Sequence, residues 1–412
     1  MSEPSRGVPR PLAGMRVVDL SQFIAGPTAA MYLADFGADV TKVEAPRGDG
    51  VRTLPGNRFG SYYARSFNCG KQGRVLDLRE PADRAALDVM LEDAHAFVCN
   101  LAPSSLKGLE LDGPTLRERF PKLVITLVSG YGQQDSRVCM DTIAQCESGF
   151  AMLNADEDGA PRLATSWPVD MSCGLLAGLC CAMAMLDPSR RGCLIDLSMM
   201  EVAASMLLGP AVLTVSEGDA LAPPMGNRDR ASAPSSIYRC ADGHVYILGG
   251  LDAYWARLRP LVGAPEASID ERIARAPEFD AHVEAWTRPQ RRDDVLARMR
   301  ALQIPAGALR PGRWPSNSAG NTGTCSPDGM ACDTAPGRKA RIMVTASSGG
   351  RTAPAALTPL PCPTNSRSPQ WPRLPHRRTT PPRRCFGPSC IRAAAPSSPA
   401  LARASAAASR CG

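Results

Sequence analysis

Histidine is scarce in this chain: 412 residues carry four, His95, His244, His282 and His376. No two of the fifteen cysteines are spaced Cys-x-x-Cys. A zinc site or a Ser-His-Asp hydrolase therefore has little to draw on, and no metal site is expected. An unbroken apolar run of 18 residues is also missing, and the opening Met-Ser-Glu-Pro-Ser-Arg has no apolar signal core. These absences point to a soluble, cytoplasmic protein with no membrane partner. The cysteines, scattered through stretches such as Leu179-Cys-Cys-Ala-Met-Ala184, then read as reduced and mostly buried thiols.

The net charge of +7 misleads if taken whole. Residues 313–412 hold fourteen Arg and Lys against two Asp and no Glu, a net of +12, which leaves 7 − 12 = −5 for residues 1–312. An acidic body gives no reason to expect nucleic acid as a partner, although local basic patches can still serve a phosphorylated small molecule. The last hundred residues hold fifteen of the thirty-eight prolines and show no hydrophobic periodicity. Such a segment buries too little apolar surface to order itself. It reads either as a disordered basic tail or as the product of a frameshift, because Arg, Pro, Ala, Gly, Ser and Cys are what GC-rich codons supply out of frame.

The body alternates short β-branched runs with helical patterns. Strands are expected at Arg16–Leu20, Asp39–Val43, Arg74–Leu78, Ala96–Cys99 and Lys122–Val128, with helices such as Pro27–Phe36 and Pro81–Asp93 between them. That alternation predicts an α/β fold with a parallel sheet and ligand sites at the carboxyl ends of its strands. Ser235–Gly249 reads as a hairpin around Ala-Asp-Gly, followed by helical segments to Leu302. The expected domains are 1–210, a large Rossmann-like domain; 211–312, a linker and small α/β domain; and 313–412, the basic tail.

One acidic residue stands out. In Ala164-Thr-Ser-Trp-Pro-Val-Asp170-Met-Ser-Cys-Gly-Leu-Leu-Ala-Gly178 a carboxylate opens a long, small-residue apolar helix. Its plainest role is an N-cap. Other blocks give it company: Leu12-Ala-Gly-Met-Arg-Val-Val-Asp-Leu-Ser21, Ala25-Gly-Pro27, Asp35-Phe-Gly-Ala-Asp-Val-Thr-Lys-Val-Glu44, Asn68-Cys-Gly-Lys71, Val75-Leu-Asp-Leu-Arg79, Phe97-Val-Cys-Asn-Leu101, Asp141-Thr-Ile-Ala-Gln145 and Ile304-Pro-Ala-Gly307.

In this order the blocks, from Pro11 to about Ala308, resemble the CaiB/BaiF family of class III CoA-transferases. The resemblance implies a Rossmann-like large domain with a parallel sheet plus a smaller α/β domain, in an interlocked homodimer. It implies transfer of CoA between an acyl-CoA and a carboxylic acid, with CoA as substrate and no permanently bound cofactor. By position Asp170 matches the nucleophile, which would pass through an acyl anhydride and an aspartyl-CoA thioester. The positions matched to CoA contacts are Ile24, Ala25, Leu76, Asp77, Leu78, Arg79, Asn100, Leu101, Ala102, Val138, Cys139, Met140 and Asp141.

Lys71 and Arg79 are candidates to face the nucleotide phosphates, or else surface cations. Where relatives carry an arginine after the second strand, this chain has Ala45, with Arg47 as a substitute, and Lys107 takes the place of a second basic position. Gly249-Gly250 is a candidate source of amides for an oxyanion, its plainer reading being a tight turn. The racemase branch of the family places His directly before the Asp matched here by Asp141. This chain has Met140 there, so transfer is preferred, with racemase or epimerase chemistry of the same fold, or an inactive product of a frameshifted transferase gene, as the alternatives.

Overall fold

The structure, a computed structural model, describes residues 10–52, 63–207, 209 and 224–310. The expected linker at 211–223 and basic tail at 313–412 lie outside the described residues. In chain order the first sheet and its helices are β1 (Arg16–Asp19), α1 (Ala25–Asp35), β2 (Asp39–Glu44), β3 (Gln72–Val75), α2 (Pro81–Asp93), β4 (Ala96–Cys99), α3 (Pro103–Gly108), α4 (Gly113–Arg119), β5 (Val124–Ser129), α5 (Asp141–Glu147), α6 (Phe150–Leu153), α7 (Pro168–Leu186), β6 (Leu194–Ser198) and α8 (Met199–Ser205).

All six strands are parallel, in the order β3-β2-β1-β4-β5-β6. Every residue of β4 and β5 is buried, as expected of strands covered on both faces, and their sequences Ala-Phe-Val-Cys and Val-Ile-Thr-Leu-Val-Ser show it by lacking polar alternation. One face is covered by Leu87, Leu91, Leu106 and Leu116 from α2, α3 and α4. The other is covered by α1, α7 and α8 through Ala29, Leu33, Cys173, Ala177, Cys181 and Val202. The strand order reverses between β1 and β4, so a crevice opens at the carboxyl edge there.

The small residues of α7 answer to one close crossing. A Cβ at Gly174 would lie 2.5 Å from Thr28 Cβ and 2.7 Å from the Ala25 carbonyl oxygen, and one at Gly178 would lie 3.1 Å from the Ala29 oxygen. Glycine at 174 is what lets α7 lie against the first turn of α1. By length and composition α7 is long and apolar enough to cross a membrane, yet Val169, Cys173, Ala177 and Cys181 on its inner face are core residues. Its other face leaves Leu175, Leu179, Met183 and Leu186 exposed.

A second sheet holds β7 (Ser235–Cys240), β8 (Gly243–Leu248) and β9 (Ala306–Ala308), antiparallel in the order β7-β8-β9. Cys240 pairs with Gly243, so the expected hairpin closes on a two-residue loop, Ala241 and Asp242. Helices α9 (Asp252–Val262), α10 (Ile269–Ala274), α11 (Ala276–Thr287) and α12 (Arg292–Ala301) follow β8. Trp255 and Phe279 meet edge to face at 5.5 Å within a separate core that also holds Leu258, Val283, Val295 and Met299. Strand β3 differs from its expectation: it ends at Val75, because Asp77 leaves the sheet to accept hydrogen bonds from the backbone and guanidinium of Arg79.

Candidate active site

A cavity of about 510 Å³ lies at the carboxyl ends of β1, β2 and β3, bounded by Leu101, Ser105 and Leu109 from the β4–α3 side. Arg47, Leu76, Asp77, Leu78, Arg79 and Leu101 line it, which brings six of the expected positions together. Asn100 stands behind them: it accepts from the Gln22 amide at 2.7 Å and donates to the Gln22 oxygen at 2.8 Å, pinning a turn that forms part of the wall. Ala102 caps the start of α3 and Lys107 lies in its last turn, both exposed.

The cations differ in what they have left to offer. Arg79 is held two-pronged by Asp77, at 2.9 and 2.6 Å, and Arg52 likewise by Glu44, at 2.8 and 2.9 Å. Arg47 is exposed on the cavity wall with no partner among the described residues. Lys71 does not face the cavity. Its side chain is buried, and its ammonium donates to Asp19 at 2.7 Å, the Pro27 oxygen at 2.8 Å and Asn68 Oδ1 at 3.0 Å, which uses all three of its N–H bonds. Burial lowers its proton affinity and Asp19 opposes that.

Beneath the cavity lies a charge cluster that the motif reading missed. Lys42 donates to the Ser21 carbonyl and to Asp49 at 3.2 Å, and it lies 3.9 Å from Asp19. Asp49 in turn accepts from the amides of Phe23 at 3.1 Å and Val51 at 3.0 Å. Phe23, at φ 62°, sits in the left-handed region, so this cluster holds a strained turn as well as the loop after β2. Burial by itself would push Asp19 up, but Lys42 and Lys71 outweigh it and hold the carboxyl below its usual range. The signal was available: Asp19 is a charged residue inside the apolar run Val17-Val-Asp-Leu20, and Lys42 precedes Val43 in a strand whose valines read as covered.

Asp170 lies elsewhere, at the third residue of α7. It is not the helix cap. The N-cap is Trp167, at φ 53°, which makes no side-chain cap bond. The cap is supplied from outside by Asp141, whose Oδ2 accepts from the amides of Val169 at 2.8 Å and Asp170 at 3.0 Å. The Asp170 carboxylate itself accepts no hydrogen bond among the described residues. Burial, and then the charge of Asp141, push it up to about 7.

Val138, Cys139 and Met140 form the segment leading to Asp141 on this side, with Val138 80% exposed. Ile24 and Ala25, at the start of α1, come between the two groups: the Ala25 oxygen faces Gly174 on α7, while Leu20–Gln22 just upstream line the cavity. Tyr63 packs edge-on to Trp167 at 5.1 Å, placing an aromatic pair at the mouth of α7.

Gly249 and Gly250 do not supply free amides. The Gly249 amide donates to the Pro234 oxygen at 3.1 Å and that of Gly250 to Ser235 Oγ at 3.0 Å, so the pair is a closed turn. Buried Arg272 holds it in place through the Gly250 oxygen at 2.8 Å.

Residues 12–313 match the family described as CoA-transferase family III. The succinate–glutarate CoA-transferase of Agrobacterium fabrum is 28% identical over 322 residues, 73% of this chain and 80% of the relative. The succinyl-CoA:mesaconate CoA-transferase of Haloarcula marismortui is 29% identical over 297 residues, 67% of this chain and 74% of the relative. A CaiB/BaiF family protein from Brucella suis superposes with a TM-score of 0.65 at 26% identity, covering 74% of this chain and 85% of that one.

Proposed function

This chain belongs to CoA-transferase family III, and we propose that it carries CoA from an acyl-CoA to a carboxylic acid on the side chain of Asp170. That it is a CoA-transferase acting on acyl-CoA and acid substrates follows from the family. The mechanism rests on one observation: Asp141 occupies the helix-end amides that a carboxylate in the first turn of α7 would otherwise take, and Asp170 is left unbonded.

An unbonded carboxylate is the better nucleophile. Its oxygen attacks the thioester carbonyl, the C–S bond breaks, and an aspartyl-acyl anhydride forms with release of CoA thiolate. The thiolate attacks the aspartyl carbonyl and expels the donor acid as its carboxylate, leaving an aspartyl-CoA thioester. The acceptor carboxylate then repeats the two steps in reverse, and the new acyl-CoA leaves with Asp170 regenerated. No proton is gained or lost, so a carboxylate suffices where an imidazole would add nothing. Met140 stands where the racemase branch needs its proton carrier.

In this reading the nucleotide end of CoA occupies the cavity, with Arg47 and, farther out, Lys107 meeting phosphate charge, and the thioester reaches Asp170 across the start of α1. The Haloarcula relative is named for succinyl-CoA and mesaconate and the Agrobacterium relative for succinate and glutarate, so succinyl-CoA is the first donor to try. The exposed stripe Leu175, Leu179, Met183 and Leu186 supports a homodimer, which light scattering of the full chain tests. The family match stops at residue 313, where periodicity also ends. Resequencing the gene across codons 305–320 tests the frameshift reading: one inserted or deleted base that restores a periodic segment supports it, and an unbroken frame contradicts it.

The test of the nucleophile is Asp170→Ala with succinyl-CoA as donor and a panel of acids as acceptors. Loss of transfer with CoA binding kept supports the reading; retained transfer refutes it.

A further inference from the structure

Gln145 is a fully buried polar side chain that the transfer chemistry does not use. It lies four residues after Asp141 in α5, so the two side chains share one face of the helix. Its amide nitrogen donates to Asp141 Oδ1 and to the Ala164 oxygen, the latter at 2.9 Å, and its own oxygen accepts from the Ala164 amide at 2.9 Å. Asp141, itself buried, uses its other oxygen on the amides of Val169 and Asp170. Two side chains of one helical turn therefore anchor both ends of the segment 164–170. Between those anchors Trp167 is held in a left-handed conformation that a tryptophan rarely adopts.

We propose that Gln145 is a positioning residue for the transfer reaction, keeping Asp141 on the two helix-end amides so that the Asp170 carboxylate stays unbonded and reactive. The proposal rests on the reading of Asp170 as nucleophile. With Asp141 released, the amides of the first turn become free, and Asp170 is the nearest carboxylate to accept them. A hydrogen-bonded carboxylate is a weaker base and a weaker nucleophile.

The groups facing Asp170 are few. Helix α5 contributes Asp141, the segment before it Cys139, and α7 itself Cys173; burial pushes both thiols up, opposed at Cys139 by a hydrogen bond with Tyr131 and reinforced at Cys173 by Asp170 and Asp141. No cation among the described residues acts on Asp170, whose upward displacement comes from burial and then from Asp141. Releasing Asp141 therefore acts in one direction, lowering the pH at which Asp170 ionises.

The test is the pH profile of kcat/KM for succinyl-CoA on the full chain, with kcat and KM resolved. Gln145→Met removes the hydrogen bonds at similar volume. The acid limb, near pH 7 in the parent, is expected to move down by on the order of half a unit or more, with kcat about tenfold lower and KM within about twofold. Gln145→Leu covers the case in which Gln145→Met does not fold. It removes the same hydrogen bonds with a differently branched side chain, so its limb is expected to fall by a similar amount. A purely structural role would lower the melting temperature and leave both limbs in place, and that result in either folded variant overturns the proposal. Retained transfer in Asp170→Ala would instead remove the reading on which it rests, so the two failures are distinguishable.

Discussion

Asp19 and Asp170 are both carboxylates drawn away from water beside α1, and their surroundings drive them in opposite directions. Asp19, at the end of β1, is the more deeply buried, yet Lys42 and Lys71 hold it below the usual carboxylate range. Asp170 is less buried and is pushed up to about 7, by burial first and then by another carboxylate, Asp141, with no cation among the described residues to oppose them. The contrast extends along the cavity. Glu44 is paired with Arg52, and Asp77 with Arg79, whose hydrogen bonds bring Asp77 down to about 2. Depth of burial does not rank these acids; the sign of the nearest charge does. In the proposed reading, mostly paired charges build the wall that receives CoA, and the carboxylate without a hydrogen bond among the described residues is where the chemistry is placed.

The largest effect is expected at Asp170. Asp170→Ala is expected to lower transfer by about 10³-fold or more, with CoA affinity by calorimetry within about twofold of the parent. At the other pole, Lys42→Met strips Asp19 and Asp49 of a buried partner and is expected to destabilise the fold by about 3–5 kcal/mol. Chemical denaturation checks this, and a loss below about 1 kcal/mol would mean the cluster is not a structural unit.

Stability against pH sharpens the same contrast, with signs that follow from each group. Asp170 ionises higher in the folded chain than in the unfolded one, so its contribution declines as pH rises from about 4 through about 7. Asp170→Asn is therefore expected to be more stable than the parent by about 2 kcal/mol at pH 8, with the difference vanishing below about pH 4. Asp19 runs the other way: its contribution is present above the ordinary carboxylate range and is lost as pH falls through its lowered value. The smallest effect is expected at Arg47, where Arg47→Ala should weaken CoA binding by about tenfold and make it less sensitive to salt, leaving kcat unchanged.

Much of the fold was legible because its strands are covered on both faces. Ala96–Cys99 and the run from Lys122 read as apolar without interruption, and the observed β4 and β5 follow them within two residues. The Asp-Gly hairpin was legible from its turn chemistry. Strand β9 was not, since Ala306-Gly-Ala308 has no β-propensity of its own and joins the sheet through its partner β8.

Of the site, positions at strand ends came through because their place depends on the backbone, whereas charges did not. Lys71 reads as a phosphate ligand until Asp19, 52 residues away in sequence, claims it. Asp170 reads as a cap until Asp141 is found on the amides. Both reversals come from pairings across long sequence separations, which neither propensity nor motif spacing encodes.

The most direct measurement is peptide mass spectrometry of the full chain after incubation with succinyl-CoA alone and rapid acid quench. The expected result is a CoA adduct on the peptide that contains Asp170, lost on treatment with hydroxylamine and absent from Asp170→Asn. A chain that exchanges CoA between labelled succinate and succinyl-CoA with no adduct at Asp170, or with the adduct on another carboxylate such as Asp141, would contradict it.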